Sequence, residues 1–147
     1  MKKSWQARLA SYPDLPSVKP IPEAMRKRRG EGTIATPSPQ EVEAAMRSVP
    51  AGRLATVFRI GEGIAARHHA TIGCTVTTAI FAHMVAHAVA QAHGTTAWWR
   101  TLKIGGELNP KYPGGIEAQM NRLEAEGHTV VQRGRRYFVE DFERKLV

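Results

Sequence analysis

Apolar residues recur at helical spacing in three stretches between residues 38 and 92, and at strand spacing only near the end of the chain. The first stretch opens on Ser38-Pro39-Gln40-Glu41, with a hydroxyl at the cap, proline at the first helical position and a carboxylate at the third. Val42, Ala45, Met46 and Val49 then share one face, and Pro50-Ala51-Gly52 stops the helix. A second helix is predicted from about Val57 to His68, with Ile60 and Ile64 inward and Gly61 and Gly63 weakening it. A third spans roughly Thr75 to Ala92, its face drawn from Val76, Ile80, Met84, Val85 and Ala88. The pattern changes after Gly94. Trp98 to Ile104 reads as a strand or extended segment ended by Gly105-Gly106, and Asn109-Pro110 and Pro113-Gly114-Gly115 are loop chemistry. Ile116, Met120 and Leu123 mark one more helix, with Gly127 at its left-handed end. Thr129 to Gln132 and Arg135 to Val139 flank Arg133-Gly134 as a hairpin with a basic tip.

Helices followed by a basic hairpin predict a mostly α domain with a small β component, a winged-helix-like helix-turn-helix DNA-binding domain covering residues 38–147. Residues 1–37 hold Pro13, Pro16, Pro20, Pro22 and Pro37 and read as a basic, extended N-terminal arm. One short helix is expected in it near Pro22 to Arg29, and Trp5, Leu9, Leu15, Val18 and Ile21 are available to lie against the body.

Charge sharpens this picture. The 147 residues carry a net charge of +8, and residues 1–36 hold eight Lys/Arg against three Asp/Glu. The excess concentrates in Arg26, Lys27, Arg28 and Arg29, a run suited to phosphate contacts that give affinity without reading sequence. A merely solubilising segment is the bland alternative. No apolar run reaches the roughly 18 residues of a membrane span, and no apolar segment follows the basic start, so neither membrane nor signal peptide is expected. A lone Cys74 excludes an internal disulfide framework and a multi-cysteine zinc site. A monomer in the cytoplasm, associated with the nucleoid and needing no cofactor, is the expectation.

Three segments stand in an order that resembles the DNA-binding domain of O6-alkylguanine-DNA alkyltransferases. They are Val49-Pro50-Ala51-Gly52-Arg53-Leu54-Ala55-Thr56, then Ala97-Trp98-Trp99-Arg100-Thr101-Leu102, then Gln119 to Gly127 with Leu123-Glu124-Ala125-Glu126-Gly127. The similarity covers roughly residues 38–132. Aligned on Arg100, Trp98 occupies the slot of the alkyl-accepting cysteine and Trp99 that of the neighbouring histidine. Indole supplies neither a thiolate nor a base, so alkyl transfer is not expected. The chain is similar in this to the alkyltransferase-like branch, which binds O6-alkylguanine in duplex DNA without repairing it and recruits nucleotide excision repair proteins. The resemblance implies a lesion pocket of Trp98, Trp99, Arg100, Val57 and Phe58, with core filling as the other reading of the tryptophans. The tyrosine that assists base rotation in the family falls near Val57 and Phe58. Its stack-filling arginine falls near Thr78 to Phe81, where no basic residue stands and Phe81 is an apolar candidate wedge.

The expected DNA face combines Arg53, Arg59, Arg67, His68, His69, Thr77, Thr78, Phe81 and Lys103 with the run from Arg26 to Arg29. Arg133, Arg135 and Arg136 could follow a groove backbone from the hairpin tip. His83 and His87 have a zinc-compatible spacing, but Met84 stands where a metalloprotease needs glutamate, so no metal is assigned. Cys74, just before the long helix, keeps open a thiol-dependent enzyme, an unconventional alkyl acceptor. A protein-interaction module is the third reading.

Overall fold

The computed structural model describes residues 4–147. Its centre is three helices, α3 (Pro39–Arg47), α4 (Val57–Arg67) and α5 (Thr75–Gln91). The capping box forms as its residues predict: Ser38 Oγ accepts from the Glu41 amide at 3.2 Å, and Glu41 accepts from the Ser38 amide at 3.0 Å. Val42, Met46 and Val49 are fully buried against α5. Thr56 caps α4 by accepting from the Arg59 amide at 3.2 Å. His69 follows α4 with φ of 56°, the left-handed residue that turns the chain towards α5. Strand β4 (Ile72–Gly73) lies within this turn. A Cβ at Gly73 would collide with the Gly61 carbonyl oxygen. The missing side chain of Gly73 therefore lets β4 lie directly on the backbone of α4.

The buried face of α5 matches expectation at Met84, Val85 and Ala88 and differs at its start. Phe81, Ala82, Ala86 and Val89 also face the core, whereas Val76 is 71% and Ile80 49% exposed. Apolar residues stand all around this helix, so periodicity alone does not fix its rotation. The small Ala82 and Ala86, which let a neighbouring helix approach, set the inward side.

The N-terminal segment is more ordered than the expected arm. The helix foreseen near Pro22 is present as α2 (Glu23–Arg29), but α1 (Trp5–Leu9), β1 (Ser17–Pro20) and β2 (Thr33–Thr36) accompany it. β1 pairs antiparallel with β2, and β2 pairs parallel with β4, Ile34 facing Ile72. Ile21, Ile34 and Ile72 form a small core beneath this sheet, and Leu9 and Trp5 pack on the main core beside α5. The strands escape a sequence reading because β2 is four residues long and its partner lies far along the chain.

The slot around Trp98 is a turn of 3₁₀ helix over Trp98–Arg100, not a strand; only Thr101–Leu102 (β5) is extended, pairing parallel with β3 (Ala55–Thr56). After α6 (Gly115–Ala125) comes the hairpin of β6 (Val130–Arg133) and β7 (Arg136–Val139). Its turn is Gly134-Arg135, one residue later than predicted, with the left-handed φ of 65° at Gly134. Leu54, Leu102, Leu108, Leu123 and Val139 make a second core that seats the hairpin. The chain is mostly α with a small β component around a helix-turn-helix. No helix among the described residues is long and apolar enough to cross a membrane.

Candidate nucleic-acid interface

The helix-turn-helix is α4, the turn of residues 68–74, and α5. Sheet pairing decides what stands beside it. β2 bonds to β4 within the turn, and Met25 of the basic helix α2 packs on the same small core as Cys74 at the start of α5. Arg29 pairs with Glu62 of α4 at 3.3 Å, and Glu62 also accepts from the Gly73 amide at 3.1 Å. Arg26 donates to the Ile21 carbonyl at 3.1 Å. Two members of the run thus hold the module in place, while Lys27 and Arg28 are exposed and make no side-chain bond among the described residues.

Farther along, the outer face of α5 meets the loop of residues 103–111. A cavity of about 330 Å³ opens there, lined by Ala79, Ile80, His83, Lys103, Asn109, Pro110 and Lys111. Glu107 anchors the loop, accepting from Arg136 at 2.7 and 3.0 Å and lying 3.7 Å from Lys103. The hydrogen bonds from Arg136 hold the Glu107 carboxyl below the usual range, against its burial. Arg136 is therefore a clamp on the hairpin, while Arg133 and Arg135 remain exposed at its tip.

Several expected DNA contacts are corrected by the structure. Thr78 and Phe81 are 0% and 1% exposed and cannot reach a ligand, so Phe81 is no wedge. Thr77 is half-buried and accepts from Cys74 Sγ at 3.2 Å. Arg53 donates to the carbonyls of Lys145 and Leu146 at 2.9 and 2.7 Å, and Arg59 to that of Val147 at 3.0 Å. These two arginines clasp the C-terminal segment, which no sequence signal placed beside them. His68 lies 2.6 Å from Glu41 and ties the turn to the start of α3. Burial raises the Glu41 carboxyl, but the Ser38 amide and His68 more than offset it and leave it lowered. Arg67 and His69 are exposed, Arg67 on the groove between α3 and α4.

The five residues expected to line one pocket are dispersed. Trp98 and Val57 are each 5% exposed and belong to the main core. Phe58 is 40% exposed on α4. Arg100 forks onto Glu126 and donates to the Val49 carbonyl at 2.8 Å. Trp98 meets Trp99 and Tyr112 edge-on, and Arg122 lies over the Trp99 ring at 4.5 Å. A separate cavity of about 590 Å³ touches both tryptophans at the far end of α5, near His93 and Pro113. The indoles are core residues whose edges reach a cavity, not the walls of one shared with Val57 and Phe58.

Cys74 caps the start of α5 and packs with the small isoleucine core, its thiol donating to Thr77. His87 stacks on Trp5 at 4.6 Å and bonds the Lys111 carbonyl at 2.8 Å through Nε2. His83 has a buried Nδ1 without a partner among the described residues. Burial, with the charges of His87, Lys111 and Arg8 nearby, holds its pKa below 6.5. The residues that periodicity missed are Val76, Ile80 and Lys111, exposed on or beside the outer face of α5.

Among solved structures, the chain is similar to that of S. pombe Atl1 in complex with damaged DNA containing O6-carboxymethylguanine. The match has a TM-score of 0.53 and 20% identity, covering 74% of this chain and 93% of that one. It is also similar to S. pombe ATL in complex with DNA, with a TM-score of 0.55, 15% identity and the same coverage. The fold is shared. It is the fold that the three motifs imply. No protein-family description matches the chain, and no curated protein is significantly similar in sequence.

Proposed function

We propose that this protein binds duplex DNA through the outer face of α5 and senses alkylated guanine without repairing it. One observation carries the reading: pairing of β2 with β4 sets the basic helix α2 beside the helix-turn-helix. Lys27 and Arg28 are exposed on α2, and Lys103 and Lys111 line the cavity on the outer face of α5. Phosphates on both sides of a groove would find cations there. The similar structures are DNA complexes, which supports the duplex-binding part of the reading.

The absence of chemistry rests on the acceptor slot. Trp98 occupies it, and Arg100 beside it is committed to Glu126 and Val49. The cavity between α5 and residues 103–111 replaces the dispersed Trp98 group as the seat for an altered base. The protein acts as a monomer, and a lesion held but not repaired is handed to nucleotide excision repair proteins.

Anisotropy titrations of plain and O6-methylguanine duplexes at several salt concentrations test this, with intact mass measured afterwards. Tighter binding of the modified duplex, a steep salt dependence and an unchanged protein mass are expected. Binding of neither duplex would overturn the proposal. A gain of one methyl group that disappears in Cys74→Ser would instead establish a thiol-dependent transferase.

A further inference from the structure

The outer face of α5 is unusual for a helix that enters a DNA groove. Its most exposed side chains are Val76 at 71% and Ile80 at 49%, one turn apart and so on the same side. Around them stand Thr75, Thr77, Ala79 and His83. None of these offers the paired donors and acceptors with which Arg, Asn or Gln read base edges. Cations stand beside this face, with Lys103 and Lys111 lining the cavity that Ile80 borders.

An exposed β-branched pair beside cations suits one mode of DNA contact. The phosphates hold the helix down on the duplex, and the apolar side chains gain by leaving water for the space between stacked bases. We propose that Val76 and Ile80 form an apolar wedge that enters between two base pairs of the bound duplex. The inference rests on the DNA-binding reading and adds what selects the site. Selection is by ease of unstacking: a step weakened by a mismatch or a modified base opens at lower cost than a sound one. Base sequence is not read directly. Both side chains are stiff about χ1, so little freedom is lost on insertion.

The test compares matched duplex with duplex carrying one central mismatch, 2-aminopurine being placed beside the mismatch as a reporter of stacking. Wild-type protein is expected to prefer the mismatched duplex by about tenfold and to raise the reporter fluorescence. Val76→Ala/Ile80→Ala removes exposed side chains only, so its thermal stability should match wild type. It should bind both duplexes with similar affinity and leave the reporter dark, with the salt dependence unchanged because the cations remain. Ile80→Leu should retain most of the preference. A folded double variant that keeps the preference overturns the wedge, as does wild-type protein that binds both duplexes equally. Equal weakening on both duplexes also overturns it and makes the pair a general contact. In each of these cases duplex binding stands, whereas failure of wild type to bind any duplex removes the reading beneath it.

Discussion

Arg100 and Glu126 form a forked ion pair, with Nη2 2.6 Å from Oε2 and Nε 2.9 Å from Oε1. Both side chains are 16% exposed, and Arg100 Nη1 also reaches the Val49 carbonyl. One guanidinium thereby joins the Trp98 turn, the end of α3 and the end of α6, and it holds the Glu126 carboxyl below its usual range. Arg100→Ala leaves a mostly buried carboxylate and a backbone carbonyl unpaired. It should cost about 3 kcal/mol in urea unfolding. Arg100→Lys should recover only part of this, because an ammonium cannot reproduce the fork.

Trp98 is a core residue of the fold. Trp98→Ala should cost about 3–5 kcal/mol of stability. Where the variant remains folded, binding of plain and alkylated duplex should weaken together. Selective loss of the alkylated duplex, read by anisotropy on both, would show that the indole touches the lesion.

Lys27 and Arg28 are the members of the basic run with no bond to the protein among the described residues. Lys27→Ala/Arg28→Ala should leave the melting temperature unchanged and lower the slope of log K against log salt by about 2. Arg29→Ala should differ, losing stability as well, because Arg29 anchors α2 to Glu62.

Acid should weaken the fold in two stages. His83 and His128 are held below the ordinary 6.5, each first by burial; neighbouring cations add to this, and at His128 the Glu126 carboxylate opposes it. As pH falls past 6.5 the unfolded chain takes up these protons first, so stability declines until the folded-state values are passed. Glu41, Glu107 and Glu126 are held below 4.5. Their contribution is complete above that value and is lost as pH drops through the lower folded-state values. Melting temperatures of His83→Asn/His128→Asn between pH 7.5 and 5 should vary less than those of wild type.

Gly73 lies so close to Gly61 that no side chain fits. Gly73→Ala should separate β4 from α4, lower the melting temperature by several degrees and reduce DNA affinity through the displaced turn. Gly63→Ala is the control: its added methyl meets no atom, and helix propensity favours it by about 1 kcal/mol.

The parts of the fold that sequence made legible are those governed by local chemistry. The capping box at Ser38, the glycine after α6 and the basic hairpin each declare themselves within a few residues. Non-local pairing left little trace. Nothing near Thr33 or Ile72 shows that these segments bond to one another, or that Arg53 and Arg59 grip carbonyls some ninety residues away. The surroundings of the candidate site were legible, but not which side chains face out there. Charge identified the run at 26–29 and motif order identified the helix-turn-helix, whereas the rotation of α5 decided which residues face out. That rotation exchanged Phe81 for Ile80, and a helix apolar on every side gives no pattern from which to foresee it.

The amides of Thr71 and Cys74 donate to the carbonyls of Thr33 and Ala35. Protection of the turn against hydrogen exchange is therefore set by a strand from the other end of the domain. If β2 lets go, the turn loses its bonds and α2 leaves with the strand, so local opening disrupts both surfaces proposed to contact DNA in one event. DNA bound across both would close that opening. The slowing of exchange at Thr71 and Cys74 on DNA binding would then measure how strongly the two surfaces are used together.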